Sequence, residues 1–402
     1  MADQPVGALA GMKVIDISTF FAAPQISAIL GDFGADVIKV EPPMGEASRK
    51  IGAQRNGASL MWALASRNKR TVTLNLDDQR GRDILRELVR GVDVIVENYP
   101  AVQLAAWGLS YAELSAINPG IVMVSVSCYG STGPLSDRAG AGTLAEAFGG
   151  LTQMTGEAAG PPMLPSIPLG DTLSAMSGAL GALVACYHKK VNGGGGQHVD
   201  VSFYEPVLTL MQPAIIAYDP SSRDPAPTRT GSRIPTGVPR NVYRTGDDRW
   251  LVLSGTTDRQ VARILVVIGA DTPDARAKFA RSADRIANAD ELDGLVASWI
   301  ASHPLDDVLR VMAENRVPAA PVNDVPALLR DDQIVARRSI VQVEDPTMGT
   351  LNMVPASPRL DATPGTIRFT GPGVGAFNAE VYRELLGYDA ARLDELRSAG
   401  VI

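Results

Sequence analysis

Short apolar runs alternate with helix-length segments through the first half of the chain. Val14–Ser18 and Asp36–Glu41 are rich in Val and Ile, as expected for buried strands. Pro24–Phe33, between them, and Asp78–Arg90 have the length and spacing of helices. Further strands are predicted at Thr71–Leu76, Val92–Glu97, Ile121–Ser127 and His198–Ser202, with a short helix at Ser110–Ile117. This alternation predicts an α/β fold with a Rossmann-like, mainly parallel sheet covered on both faces.

One apolar segment is longer than the rest. Leu173–Tyr187 contains no charged residue, and its Ala, Leu, Met and Gly content predicts a buried helix. Lys189, Lys190 and the glycine run Gly193–Gly196 mark its end, because cations favour a helix C-terminus and glycines break the helix. At about 15 uncharged positions the segment is shorter than the roughly 18 that a membrane span needs, so no membrane partner is expected.

The second half of the chain has a different composition. Asp219–Arg233 is rich in Pro, Ser, Arg and Asp, as linkers are. We therefore predict a large domain in residues 1–218, a linker at 219–233, a small α+β domain at 234–325 and a return to the large domain in 326–402. The elements predicted there are strands at Trp250–Ser254, Ile340–Glu344 and Thr350–Val354, and helices at Asp258–Ile268, Glu291–His303, Leu305–Asn315, Ala379–Leu386 and Ala391–Ser398.

Composition narrows the class of protein. The chain has 402 residues, 45% hydrophobic and 20% charged, with a net charge of −7, which argues against a nucleic-acid partner. Met1–Lys13 lacks the pattern of a signal peptide. The only cysteines are Cys128 and Cys186, which fits a reducing cytoplasm. The three histidines lack metal-ligand spacing, so no metal is expected.

The first strand-to-helix turn lacks the dinucleotide fingerprint. Ser18–Ala23 contains no glycine, whereas a pyrophosphate cradle needs several glycines there. The fold is thus expected to be Rossmann-like without that cradle.

Asp171 lies where the long apolar helix is expected to begin. It follows Gly170 in a Pro- and Gly-rich loop, at the position of a helix N-cap. As a cap, its carboxylate would stabilise the helix by about 1 kcal/mol. The same free N–H groups would also keep the carboxylate ionised, and an ionised carboxylate beside a glycine turn can act as a nucleophile. Position alone leaves both roles open.

Several short motifs follow one another in the order found in a single enzyme family. They are Gly34–Glu41, Arg67–Arg70, Val96–Tyr99, Ile117–Pro119, Gly130–Pro134, Gly196–Ser202 and Leu386–Tyr388. Over nearly the whole chain this series resembles the family III CoA-transferases, also called the CaiB/BaiF family. Formyl-CoA transferase, carnitine CoA-transferase and acyl-CoA racemases belong to that family.

The resemblance implies an activity and an assembly. Asp171 matches the family nucleophile, which attacks an acyl-CoA thioester and then carries CoA as an aspartyl thioester to a small carboxylic acid. Coenzyme A is therefore the implied co-substrate and the large domain its binding domain. The family also implies a homodimer of two interlocked chains.

The family pattern also implies CoA contacts. It maps them onto Phe21, Ala22, Leu74 and Asn98–Tyr99. Each has an alternative role, since Phe21 and Leu74 suit a core and Asn98 suits a turn. Arg70, with Arg67 and Lys69, is a candidate for the CoA phosphates or for a solvated strand edge.

Departures from the family pattern affect the choice of substrate. Pro42 stands where relatives often carry a basic residue, and Pro100 and Ala106 stand where arginines are common. Gly140–Gly142 lacks both the Tyr-Glu pair of formyl-CoA enzymes and the His-Asp pair of racemases. Ala141 and Gly142 leave room for a larger acyl group. An acyl-CoA racemase or isomerase, which needs a base near the α-carbon, and a non-catalytic CoA-binding scaffold remain as alternative functions.

Overall fold

A computed structural model describes residues 7–223 and 225–402. Residues 1–6, the start of the segment predicted to lack a signal peptide, and Asp224 of the predicted linker lie outside the described residues. The first part of the chain forms β1 (Lys13–Asp16), α1 (Ala22–Asp32), β2 (Asp36–Glu41), a 3-10 helix (Ala47–Lys50), β3 (Gln54–Arg55), β4 (Ala58–Ser59), α2 (Leu60–Ala65), β5 (Lys69–Thr73), α3 (Gln79–Val89), β6 (Val94–Glu97), α4 (Ala101–Trp107), α5 (Tyr111–Ile117), β7 (Val122–Ser127), α6 (Gly142–Phe148), α7 (Leu151–Met154), α8 (Leu169–Val191), β8 (His198–Ser202) and α9 (Tyr204–Ala217).

The rest of the chain continues this series. It forms β9 (Arg240–Arg244), β10 (Trp250–Ser254), α10 (Asp258–Val267), α11 (Pro273–Lys278), α12 (Ser282–Ala287), α13 (Ala289–Ala301), α14 (Leu305–Glu314), β11 (Ala319–Pro321), α15 (Val325–Leu328), α16 (Asp332–Ala336), β12 (Val341–Asp345), β13 (Gly349–Met353), α17 (Asn378–Leu386) and α18 (Ala390–Ser398).

The chain divides into two compact units. The larger unit comprises the chain up to Leu151, Leu164–Ala217 and Ala336–Ile402, and the smaller unit comprises Thr152–Met163 and Tyr218–Val335. The prediction placed residues 152–163 and 326–335 in the large domain, whereas the structure groups both segments with the smaller unit.

A six-stranded sheet forms the centre of the larger unit. Its strands lie in the order β5-β2-β1-β6-β7-β8, and all neighbouring pairs are parallel. Counted along the chain this is the order 3-2-1-4-5-6 of doubly wound folds, which reverses between β1 and β6. The predicted α/β fold with a mainly parallel sheet is therefore confirmed. In such folds ligands bind beyond the carboxyl ends of the strands, near the reversal point.

Two apolar cores cover the two faces of this sheet. On one face α1 and α8 bury Ile26, Leu30 and a row of alanines that includes Ala179 and Ala182. On the other face α3 and α5 pack together with the last two helices of the chain, which bury Val381, Tyr382, Leu393 and Leu396. The C-terminal segment therefore completes the core of the first domain.

Helix α8 packs closely because it carries small residues. A β-carbon at Gly178 would lie 2.3 Å from Cδ1 of Ile26 in α1, and one at Gly181 would lie 2.7 Å from Cγ1 of Val199 in β8. The helix has 23 residues, eight more than the uncharged segment suggests, and by length and composition alone it could cross a membrane. The length argument against a span was therefore wrong. In this fold 44% of its most apolar window is buried.

The opposite side of α8 is apolar but uncovered. Its exposed residues recur every three or four positions, so they share one helical face. They are Met176, Leu180, Val184, Tyr187 and Val191, each more than half exposed. We call this face the α8 apolar stripe.

The smaller unit has its own sheet and core. Strands β9, β10 and β11 form an antiparallel sheet in the order β11-β10-β9. Helices α10, α13 and α14 pack buried residues such as Ile264, Val296 and Val308 against it. Strand β9 was not predicted, because Arg240–Arg244 carries two arginines and an asparagine.

Candidate active site

Asp171 lies in the first turn of α8, three positions beyond the N-cap position predicted for it. The helix begins at Leu169, so Asp171 is its third residue, and the N-cap residue Pro168 makes no side-chain hydrogen bond to the first turn. The N-cap role proposed from sequence is therefore wrong. Asp171 is half-buried, and the helix N-terminus carries partial positive charge from its free N–H groups. The carboxylate is thus available for chemistry instead of being used as a cap.

The backbone of α6 lies against this carboxylate. A β-carbon at Gly142 would lie 2.2 Å from Oδ2 of Asp171, and one at Gly170 would lie 2.8 Å from the Gly142 carbonyl oxygen. Neither position accepts a side chain without displacement of its neighbour. The two glycines therefore permit the close packing of α6 on the start of α8.

A second carboxylate lies beside the first. Glu146 of α6 is buried, and its Oε1 accepts a hydrogen bond of 2.9 Å from the N–H of Gly170. Burial, together with the charge of Glu146, raises the pKa of Asp171. We expected the helix end to favour ionisation, and the local environment instead makes the carboxylate more basic. A more basic carboxylate is a stronger nucleophile when deprotonated.

Asn98 links the two strands at the reversal point of the sheet. It follows β6, and its side chain binds Thr19, which follows β1. Asn98 Oδ1 accepts from the N–H of Thr19 at 2.8 Å, and Asn98 Nδ2 donates to the carbonyl oxygen of Thr19 at 3.0 Å. The predicted CoA contacts Phe21 and Ala22 come directly after this turn, at the start of α1.

The same turn contains a strained residue held by a buried acid. Phe20 has a φ of 66°, which is uncommon for a residue other than glycine. Its N–H donates a 2.8 Å hydrogen bond to Oε1 of Glu46, and Oε2 of Glu46 forms a 3.0 Å ion pair with Lys39. Lys39 is fully buried and also donates to the carbonyl of Ser18. Sequence reasoning missed Glu46, although a lysine inside the apolar strand Asp36–Glu41 was a signal of a buried acid nearby.

A cluster of buried charged side chains lies next to the turn that follows β1. Asp16, at the end of β1, forms ion pairs with Nζ of Lys69 at 2.7 Å and with Nζ of Lys39 at 3.5 Å. All three side chains are inaccessible to solvent. Burial lowers the pKa of Lys69 to about 8 against the attraction of Asp16. The prediction that Lys69 faces phosphate or solvent is therefore wrong.

Arg67 and Arg70 are also occupied by carboxylates. Arg67 is buried and binds Asp32 at 2.7 Å. Arg70 binds Asp36 at 2.5 Å and Glu384 at 2.7 Å, and it contacts Glu380 as well. These pairs use the guanidinium donors that a phosphate would need. The structure therefore gives Arg70 a structural role, in which it ties β5 to α17.

Two predicted CoA contacts line one cavity of about 190 Å³. Leu74, which follows β5, and Tyr99, which follows Asn98, form part of its wall together with Trp107. Tyr99 and Trp107 meet edge to face with ring centroids 5.0 Å apart. Asp77 and Glu41 add acidic groups to the wall, and Arg49 neutralises Glu41 through a pair of hydrogen bonds. The cavity suits an apolar or aromatic ligand part better than a phosphate.

The predicted site residues thus fall into two groups. Asp171 lies with Gly142 and Glu146, while Leu74, Asn98 and Tyr99 lie around the ends of β5 and β6. In residues 7–223 and 225–402 no hydrogen bond or ion pair links the two groups. Both belong to the carboxyl edge of the sheet, because α8 runs antiparallel to the strands and its N-terminus lies at that edge. The described part of the chain contains no cluster of His, Cys, Asp and Glu suited to a metal ion.

Known proteins resemble this chain along its whole length. The family described as CoA-transferase family III matches residues 9–378. The succinyl-CoA–D-citramalate CoA-transferase of Chloroflexus aurantiacus is 38% identical over 403 residues, covering 100% of each chain. The beta subunit of a succinyl-CoA–L-malate CoA-transferase from the same organism is 36% identical, with 98% of each chain covered. The crystal structure of a CAIB/BAIF family protein from Brucella suis has a TM-score of 0.82 at 26% identity and covers 94% of this chain and 99% of that one.

Proposed function

Because the chain belongs to CoA-transferase family III, we propose that it transfers CoA from succinyl-CoA to a small dicarboxylic acid, with Asp171 as the nucleophile. The observation that carries this proposal is the half-buried carboxylate of Asp171 at the mouth of α8, uncapped and lying against bare backbone at Gly142. The two relatives described above are named for succinyl-CoA and for the hydroxy-dicarboxylic acids D-citramalate and L-malate. These names supply the donor and the acceptor class.

The proposed reaction has two matched halves. In the first, an oxygen of Asp171 attacks the thioester carbonyl, the C–S bond breaks and CoA leaves as the thiolate, which gives a mixed anhydride. The thiolate then attacks the Asp171 carbonyl carbon, releases succinate and forms an aspartyl-CoA thioester. In the second half, the acceptor carboxylate attacks this thioester and expels the thiolate. The thiolate attacks the acceptor carbonyl of the new anhydride, which frees Asp171 and the product thioester.

Stabilisation of the developing oxyanion is assigned to main-chain groups. Each attack places negative charge on a carbonyl oxygen, and backbone N–H groups at a helix N-terminus stabilise such charge. The first turn of α8 provides these groups beside Asp171. The raised pKa of Asp171 supports attack on a thioester, because nucleophilicity increases with basicity.

We propose that CoA binds beyond the carboxyl ends of the strands, near β1 and β6, where the strand order of the sheet reverses. The adenine and ribose would occupy the cavity between Leu74 and Tyr99, where an aromatic side chain is available for stacking. The turn at Phe21–Ala22 and the amide of Asn98 would guide the pantetheine arm. Arg70 is left out of this set because carboxylates already occupy it.

Substrate size is proposed to depend on the loop before α6. Ala141, directly before that helix, has only a methyl side chain, so an acyl group larger than formyl has room on that side of the site, whereas the backbone of Gly142 already lies against Asp171. This arrangement lacks the His-Asp base that a racemase of the family would use. It therefore favours transfer over the racemase alternative.

We propose that the protein is a cytoplasmic homodimer. The α8 apolar stripe is a continuous exposed hydrophobic face, and such faces commonly mark protein interfaces. A second copy of the chain would cover it. Both cysteines are free thiols, which is consistent with a reducing compartment.

The test is to trap the covalent intermediate. The protein is incubated with succinyl-CoA, digested and searched by mass spectrometry for CoA or succinyl mass on the peptide that carries Asp171. Addition of L-malate should remove the label and release malyl-CoA. A panel of other acyl-CoAs serves as the comparison. Turnover without any adduct on that peptide, including after hydroxylamine trapping, would overturn the assignment of Asp171.

A further inference from the structure

Glu146 has an unusual environment for a buried acid. Its side chain is only 2% exposed, yet none of the ion pairs among the described residues includes it. Buried carboxylates are ordinarily paired with a cation or neutralised, because loss of hydration is costly. The position of Glu146 therefore has a stability cost that a glutamine of the same shape would not incur.

The contacts of Glu146 point to the start of α8. Its Oε1 accepts a 2.9 Å hydrogen bond from the N–H of Gly170, the residue directly before Asp171. A β-carbon at Gly170 would lie 3.3 Å from Cγ of Glu146 and 2.8 Å from the carbonyl oxygen of Gly142. The first turn of α8 is thus pressed between the backbone of α6 and the side chain of Glu146.

We propose that Glu146 is a positioning residue for the transfer reaction, which orients the first turn of α8 and holds a second negative charge beside Asp171. This inference rests on the proposed function and adds to it. A neighbouring negative charge raises the basicity of a carboxylate, so the oxygen that attacks the thioester is more nucleophilic. The raised pKa of Asp171, caused first by burial and then by Glu146, agrees with this geometry.

A further titratable group near Asp171, the thiol of Cys128, carries no charge at neutral pH. Cys128 lies at the end of β7, and its pKa is raised by burial and by the charge of Asp171. Its thiol therefore stays protonated while Asp171 is ionised. From α6 the only group that acts on Asp171 is Glu146. Within the described chain, the charge beside the nucleophile is accordingly that of Glu146.

Two substitutions separate the charge from the hydrogen bond. Glu146→Gln keeps an oxygen that can accept from the N–H of Gly170 but removes the charge. Glu146→Asp keeps the charge but is one methylene too short for the same hydrogen bond. If the role of Glu146 were only structural, Glu146→Gln would be the milder change. If the charge matters, Glu146→Asp should have the more wild-type pH profile.

The experiment measures kcat and KM for CoA transfer from succinyl-CoA to L-malate between about pH 4 and pH 9. This range includes the pH at which a carboxyl group with a raised pKa titrates. For Glu146→Gln we expect the acid limb of kcat/KM to move to lower pH and the plateau of kcat to fall about three- to tenfold, with a small change in KM. Circular dichroism and Tm confirm folding, and Glu395→Gln on the exposed side of α18 is the control for loss of one charge.

A Glu146→Gln profile that superimposes on the wild-type profile would overturn the inference. So would a Glu146→Asp profile further from wild type than that of Glu146→Gln. The adduct on Asp171 is measured in the same wild-type preparation. An absent adduct contradicts the proposed function, whereas a normal adduct with unchanged Glu146→Gln kinetics contradicts only the role of Glu146.

Discussion

The backbone of Gly142 and the carboxylate of Asp171 lie in direct contact, with only 2.2 Å between Oδ2 and the place where a β-carbon at position 142 would stand. That β-carbon would also lie 2.9 Å from the main-chain nitrogen of Asp171. A methyl group at position 142 must therefore move the carboxylate, the first turn of α8 or both.

Gly142→Ala should impair catalysis more than folding. Displacement of a nucleophile by about 1 Å can reduce the rate by about 100-fold, whereas overpacking of one methyl group costs roughly 1–3 kcal/mol. Steady-state kinetics and urea unfolding measure the two effects. Gly91→Ala is the control, because a β-carbon there would meet no atom within 4 Å. Unchanged kcat in Gly142→Ala would contradict the geometry described for Asp171.

Asp171→Ala should abolish transfer without loss of the fold. Activity should fall on the order of 10⁴-fold, as when a covalent nucleophile is removed. Unfolding free energy should change by less than about 1 kcal/mol, because the N-cap of α8 is Pro168 and not Asp171. Asp307→Ala is a matched control, since Asp307 is likewise the third residue of its helix, α14. Residual activity near the wild-type level in Asp171→Ala would show that another group is the nucleophile.

Glu97 should make the protein less stable as pH rises from about 4.5 to 7. Glu97 is buried at the end of β6, and desolvation raises its pKa from 4.5 to about 7. In that interval the folded protein binds a proton that the unfolded chain has released, so unfolding free energy falls with increasing pH. The loss should be about 3 kcal/mol.

The measurement is the difference in unfolding free energy between wild type and Glu97→Gln at pH 5 and at pH 8. Gln keeps an oxygen to accept the 2.7 Å hydrogen bond from the N–H of Tyr99, so the variant should be relatively more stable at the higher pH. Glu395→Gln, on an exposed helix, should show no such difference. A constant difference at both pH values would show that Glu97 titrates normally.

Glu46→Ala should weaken both the fold and CoA binding. The change leaves buried Lys39 without its 3.0 Å partner and frees the strained turn at Phe20. Loss of one member of a buried ion pair costs about 3–5 kcal/mol. We expect KM for succinyl-CoA to rise more than kcat falls, because the turn is proposed to hold CoA. Glu344→Ala, on the hairpin strand β12, provides the control. An unaltered KM in a folded variant would remove this turn from the proposed CoA site.

Leu180→Glu should separate the proposed homodimer. Leu180 is 63% exposed at the middle of the α8 apolar stripe, where a buried charge would be costly in an interface. Size-exclusion chromatography with light scattering should give a dimer mass for wild type and a monomer mass for the variant. Val102→Glu changes an exposed valine on α4 and should leave the mass unchanged. A monomeric wild type would contradict the dimer.

The parallel sheet could be predicted because its strands are short, apolar and separated by helices. Asp36–Glu41 and His198–Ser202 have the predicted bounds. The error at β5 has a specific cause. The strand begins at Lys69 instead of Thr71, because the charges of Lys69 and Arg70 are satisfied by Asp16, Asp36 and two glutamates of α17. Those partners are distant in sequence, so local polarity indicated a loop.

Residues of the candidate site could be predicted only where they belong to a short sequence motif. Asp171 and Asn98 were found in this way. Glu146 and Glu46 were not, because their importance comes from burial beside residues at other positions in the chain. The approach of Gly142 to Asp171 depends on how α6 packs against α8, and no local pattern encodes that packing.

The amide of Asn98 binds both main-chain groups of Thr19, which holds together the two turns that follow β1 and β6. Variation in the accepted acid is then expected in the loop that ends at Ala141, because Gly142 itself lies against Asp171 and accepts no side chain. Exchange of a few side chains in that loop would then change which acid is accepted. The proposed CoA site around Leu74, Asn98 and Tyr99 would stay the same.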